Sequence, residues 1–130
     1  MTASFLLHRL AFLGLVSVLL AAGIYPQETA HTITFTFDYD FSITPACSTK
    51  IKKACVQQFN FYDISQGITK RVKLGSISVP AGASGFRPAI SGTTDSMLFN
   101  PGRHLVAVSA QMPDGTESDL RKCATIVKIP

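Results

Sequence analysis

Residues 32–41 read TITFTFDYDF, and this stretch decides the fold class. Ile33, Phe35, Phe37, Tyr39 and Phe41 take every second position, while Thr32, Thr34, Thr36, Asp38 and Asp40 fill the places between. Successive side chains of a strand point to opposite faces, so the segment predicts a strand with one aromatic face in a core and one wet face.

Downstream the same period returns. Val56 to Ile64 is strand-like, with Phe59 and Phe61 alternating around Asn60, and the stretch from Ser65 to Ile68, centred on Gly67, is a turn. From Thr69 to Val79, Val72 and Leu74 keep one phase and Ile77 and Val79 the other, which predicts a bulge at Gly75. Residues 80–88, PAGASGFRP, are too rich in proline and glycine to pair regularly. Asp95 to Phe99 predicts a short strand, hairpinned through Asn100, Pro101 and Gly102 to a strand on which His104, Val106, Val108 and Ala110 alternate. After the turn at Pro113, Asp114 and Gly115, Thr125, Val127 and Ile129 mark a last strand. Frequent turn signals, and no helix-period segment after residue 24, predict an all-β antiparallel sandwich or barrel.

Upstream the character changes. From Leu10 to Ile24 the chain reads LAFLGLVSVLLAAGI without a charge, behind His8 and Arg9. That is the order of a signal peptide, with Ala21 and Gly23 suitably small for a cut ahead of Ile24. As a helix the run would span about 22 Å, short of the roughly 30 Å hydrocarbon core, so a membrane span would need Phe5 to Leu7 as well. The expected organisation is residues 1–23 as a signal peptide or uncleaved signal anchor helix, 24–31 as a linker or partial first strand, and 32–130 as the domain.

Of the 130 residues, 46% are apolar and 15% charged, which argues for one folded domain and against disorder. The formal net charge is +4, and loss of the N-terminal segment with Arg9 would lower it by one. Lys50, Lys52 and Lys53, then Lys70, Arg71 and Lys73, form small basic groups that acidic residues elsewhere balance. No aromatic residues interleave with them as a base-stacking platform requires, so they read as solvated surface and no nucleic-acid partner is expected.

The order of segments resembles a fibronectin type III domain, an immunoglobulin-like sandwich whose strands run A, B, C, C′, E, F and G in two packed sheets. TITFTFDYDF resembles strand B, QFNFYDI strand C and TKRVKLGSISVP strand C′, while HLVAVSA followed by MPDGTES resembles strand F and the turn to strand G. The resemblance implies a non-catalytic recognition or spacer module. This sequence departs from the family in having no tryptophan, in a short or missing first strand, and at His104. His104 stands where the family has the tyrosine whose hydroxyl ties a corner of the sandwich, so that bond must come from an imidazole nitrogen or be lost. The shortened first strand leaves an edge on strand B that a partner could pair with.

Three cysteines, Cys47, Cys55 and Cys123, suit an exported chain, because disulfides persist in oxidising compartments. The resemblance brings all three to one end of the sandwich and leaves three pairings open. Cys47 with Cys55 closes a short loop worth about 2.6 kcal/mol, and Cys55 with Cys123 a long one worth about 4.4 kcal/mol. Proximity along the chain favours the local pair and leaves Cys123 buried, free or intermolecular, with pairing to Cys123 the alternative.

No cluster for catalysis assembles, and neither an enzyme nor a cofactor is expected. The spacing of Cys47 and Cys55 lacks the short interval and fourth ligand of structural zinc, so no metal is expected. There is no G-x-S-x-G elbow, Gly-rich phosphate loop or H-E-x-x-H helix. Asp38 and Asp40 read as solvated strand residues, His31 as a surface residue and His104 as structural. Asp114, Gly115, Glu117 and Asp119 are the binding-loop candidates, in a loop without Arg-Gly-Asp. The expected role is an exported binding or spacer module for an unidentified protein or envelope ligand, secreted or periplasmic. The alternative is a membrane-anchored accessory subunit of an envelope or secretion assembly, if residues 5–24 stay as an anchor.

Overall fold

The alternation over 32–41 is realised as strand β4, Thr34–Asp40, and Ile33, Phe35, Phe37, Tyr39 and Phe41 are all buried. In the computed structural model residues 2–5, 12–17, 28–80 and 82–130 are described, the first two segments as backbone alone. Around β4 lie β1 (Thr2–Phe5), β2 (Phe12–Ser17), β3 (Thr29–His31), β5 (Gln58–Asp63), β6 (Val72–Ser78), β7 (Phe86–Thr93), β8 (Met97–Phe99), β9 (Gly102–Gln111) and β10 (Ala124–Ile129). Two short 3-10 helices, Ile68–Lys70 and Leu120–Lys122, interrupt the connections.

The strands form antiparallel sheets in the orders β1-β2-β4-β7 and β10-β9-β5-β6, with β3 and β8 as a separate ribbon. The architecture is all-β and sandwich-like. Its core is aromatic: Phe35 of β4 stacks on Phe61 of β5 at 4.4 Å, and Phe37 meets Phe59 edge-on at 4.9 Å. Such pairs add to the free energy of area burial, since ring edges and faces carry opposite partial charge. Val106, Val108, Val127 and Ile129 complete the core from β9 and β10.

The bulge expected at Gly75 is present. Phe61 pairs with Gly75 and Tyr62 with Lys73, so one extra residue of β6 is accommodated between them. Gly75 has a φ of +155°, a conformation that side-chain-bearing residues rarely adopt, and the phase change in the sequence is the readable mark of this bulge.

Three expectations are corrected. The stretch 80–88 was expected to stay unpaired, yet β7 begins at Phe86 and carries Pro88 within it. A second bulge permits this: the register against β4 shifts between Phe37 and Tyr39, and the Ala89 N–H turns to Asp38 Oδ1 at 2.8 Å. Proline is tolerated where the ladder is already broken. The hairpin expected between Met97–Phe99 and β9 does not form, because β8 pairs with β3 instead, Ala30 opposite Leu98. The turn at Asn100 to Gly102 therefore passes the chain from the ribbon to the sheet of β9. His31, expected on the surface, is buried on β3, close to the Phe99 ring.

Of the segment expected as a signal or anchor helix, two stretches are described. At Thr2–Phe5 and Phe12–Ser17 the backbone is extended: β2 runs along β4 from Phe12 opposite Tyr39 to Ser17 opposite Thr34, and β1 runs along β2. A short apolar run does not by its period distinguish strand from helix, and an open edge on β4 supplies the backbone partners that a helix would otherwise supply. The expected cleavage position ahead of Ile24 lies outside the described residues. Among those described, no helix is long and apolar enough to cross a membrane.

Candidate binding surfaces

The loop after β9 is anchored to the sheet it leaves. Asp114 Oδ1 accepts from the Thr116 N–H at 3.0 Å and its hydroxyl at 2.7 Å, Gly115 turns with a φ of +89°, and Asp119 Oδ1 caps the 3-10 helix at Arg121 N. These contacts hold the Asp114 and Asp119 carboxyls below their ordinary range, through Thr116 at the first and the Arg121 backbone N–H at the second. Each side chain serves its own turn, and the three carboxylates of the loop do not converge on a cation site.

Glu117 instead points onto the outer face of β5 and β9. Its Oε1 accepts from Asn60 Nδ2 at 2.5 Å, Ser109 Oγ at 2.7 Å and the Tyr62 hydroxyl at 2.8 Å, and Arg71 stands 3.6 Å from Oε2. Asn60 also donates to Gln111 and accepts from Gln58, and Arg71 lies over the Tyr62 ring at 5.3 Å. Asn60 and Ser109 are wholly buried beneath this loop. Burial opposes ionisation of Glu117, yet the hydrogen bonds from Ser109, Asn60 and Tyr62 and the charge of Arg71 outweigh it and hold the carboxyl below its ordinary value. The Tyr62 phenol is pushed up to about 12, first by burial and then by its bond to Glu117. The alternation of β5 identifies Asn60 as outward-facing, but nothing in the sequence marks Glu117 as its cover.

His104 is held through both ring nitrogens. Nε2 lies 2.7 Å from the Asn100 carbonyl, four residues upstream, and Nδ1 lies 2.8 Å from Asp63 Oδ2. Both partners are acceptors, so each bond needs a hydrogen on the ring nitrogen that makes it. Asp63 Oδ1 meanwhile accepts from the N–H and hydroxyl of Ser65, whose Oγ accepts from the Leu105 N–H at 2.9 Å. This network ties the start of β9 to the end of β5. Beside it opens a groove of about 200 Å³ floored by Leu74 and Phe99 and lipped by Leu98 and Val72, both exposed.

At the other end Cys47 and Cys55 are joined in a disulfide, with Cα atoms 4.9 Å apart. The loop it closes is already drawn together, Cys47 N–H to the Val56 carbonyl at 3.0 Å and Val56 N–H to the Pro45 carbonyl at 2.8 Å. Cys123 is free and buried in the core, and burial pushes its thiol up to about 12, so it stays neutral and unreactive at physiological pH. Asp38 and Asp40, expected as solvated, serve local backbone: Asp38 at the β7 bulge, and Asp40 Oδ1 at the Ser42 N–H, 2.9 Å, and hydroxyl. No group of three or more His, Cys, Asp or Glu residues able to hold a metal occurs among the described residues.

Neither the models of known families, nor the curated proteins, nor the solved structures include a match to this chain.

Proposed function

We propose that this protein is an exported, non-catalytic binding or spacer module of the fibronectin type III kind. The observation that carries the reading is the strand order. With β4, β5, β6, β7, β9 and β10 taken as B, C, C′, E, F and G, B pairs with E in one sheet while C lies beside F, and F beside G, in the other. His104 at the corner position, bonded to a carbonyl four residues back, supports it further. The Cys47–Cys55 disulfide suits an oxidising compartment.

The intact mass of protein isolated from its native host without reductant tests the reading. A mass lacking residues 1–23 and the hydrogens of two thiols is expected. A full-length mass would overturn export by cleavage and favour a tethered accessory subunit.

A further inference from the structure

The outward faces of β9 and β10 pair row by row: Arg103 opposite Lys128, Leu105 opposite Ile126, and Ala107 opposite Ala124. Like charges directly opposite each other on neighbouring strands repel. Neither Arg103 nor Lys128 has an ion-pair partner among the described residues, where the ion pairs engage Arg71, His104 and Arg121. In the next row Leu105 and Ile126 are 36% and 50% exposed. In the third row Ala107 is buried against Leu120, whose 3-10 helix also carries the exposed Arg121 and Lys122. The apolar pair is thus a floor, bounded on one side by two cations without an ion-pair partner among the described residues and on the other by a wall that carries Lys122 and the Arg121–Asp119 ion pair.

A floor lying beside a raised 3-10 helix suits a narrow occupant better than a planar bilayer, which would meet the wall first. The charges that border the floor on its own strands, Arg103 and Lys128, are of one sign, and guanidinium and ammonium groups bind carboxylates through charge-assisted hydrogen bonds. We propose that this face docks an acidic segment of a partner protein, which seats an apolar side chain on Leu105 and Ile126 and a carboxylate between Arg103 and Lys128. The two contacts lie two residues apart along the strand, about 7 Å. The docked carboxylate removes the cross-strand repulsion, and the apolar side chain takes the exposed pair out of water. This inference deepens the binding-module reading and rests on it.

The test titrates the isotope-labelled full chain with two short capped threonine peptides, one carrying leucine and glutamate two positions apart, its twin carrying lysine in place of glutamate. The glutamate peptide is expected to shift the amides around Leu105, Ile126 and Lys122, and to bind at least about tenfold more weakly at high salt. The double variant R103E/K128E is expected to reverse the preference toward the lysine peptide, a readout that a merely unfolded variant cannot give, and L105T/I126T to weaken binding of either. Equal response to the two peptides, or none to either, overturns the proposal. Shifts confined to the groove beside His104 overturn this face but leave the module reading standing. Flotation with phosphatidylglycerol and phosphatidylcholine vesicles that needs the same four residues, while the peptides stay inert, would replace the protein partner with a membrane.

Discussion

The ring of Phe61 lies so close to the backbone of Gly92 that a Cβ added there would come within 2.8 Å of Phe61 Cζ and 2.7 Å of Ile77 Cγ2. Phe61 cannot retreat, because it is fully buried and stacked on Phe35. Gly92 sets how closely β7 approaches the opposite sheet. Gly92→Ala is expected to destabilise by roughly 1–3 kcal/mol through overpacking, measured by chemical denaturation. A loss below about 0.5 kcal/mol, the range of ordinary surface substitutions, would mean that the sheets are further apart here.

Phe37 touches the opposite sheet through Phe59 and Phe61. Phe37→Ala is expected to cost roughly 3–5 kcal/mol, as for other core aromatics. A loss under about 1 kcal/mol would reverse the assignment of the faces of β4, since a one-residue slip exchanges them.

Glu117 makes stability dependent on acid. Its carboxyl is held below the ordinary value in the folded state, so its contribution is present above the unfolded pKa and is lost as pH falls through the folded one. Asp40, Asp114 and Asp119 shift in the same direction. Thermal melts across the acid range should therefore fall steadily, and Glu117→Gln should flatten part of that slope. Glu117→Ala, which orphans the buried Asn60 and Ser109 donors, is expected to cost roughly 2–4 kcal/mol. An unchanged acid slope in the glutamine variant would remove Glu117 from the account.

The thiols give a separate check. Without reductant, a thiol reagent should leave the native protein unmodified and label Cys123 once the chain is unfolded, because its sulfur is buried and neutral. Reduction of Cys47–Cys55 should lower stability by roughly 2–3 kcal/mol, read as a drop in the thermal midpoint. Labelling in the native state would show Cys123 to be accessible.

Tyr62 extends the pH argument to the alkaline side. Its folded pKa of about 12 exceeds the ordinary 10.0, so its contribution is complete below the ordinary value and is lost as pH rises toward the folded one. Burial raises Tyr39 as well, so phenolate absorbance in the native protein should show a late-titrating component that Tyr62→Phe reduces.

Strand β4 was legible because its aromatic and polar residues alternate without interruption, and the Gly75 bulge because the period changes phase there. Strand β7 was not. Only Ile90 and Gly92 of that strand are buried, and glycine carries no hydrophobic signal. Pro88 read as a breaker because the bulge that accommodates it depends on the bond of Ala89 to Asp38, fifty-one positions apart. The same difficulty hid the pairing of β3 with β8, each three residues long: Asp95 to Phe99 reads as a short strand and residues 24–31 as a linker or partial strand, but nothing in the sequence joins them. Of the loop candidates, Asp114 and Gly115 form the turn that the sequence promises. Glu117 is ordinary in composition, and its role arises only where the fold lays it across Asn60, Tyr62 and Ser109. The polar centre of β5, with Asn60 between Phe59 and Phe61, was the one visible trace of that cover, and it reads equally well as a solvated face.

Glu117 also divides its loop for protein engineering. Asp114, Gly115 and Thr116 hold one another and expose their tips, so an affinity library or a grafted epitope can replace them with the scaffold intact. A library that randomised residue 117 would discard folded clones along with weak binders, because most draws would leave the buried Asn60 and Ser109 donors without an acceptor.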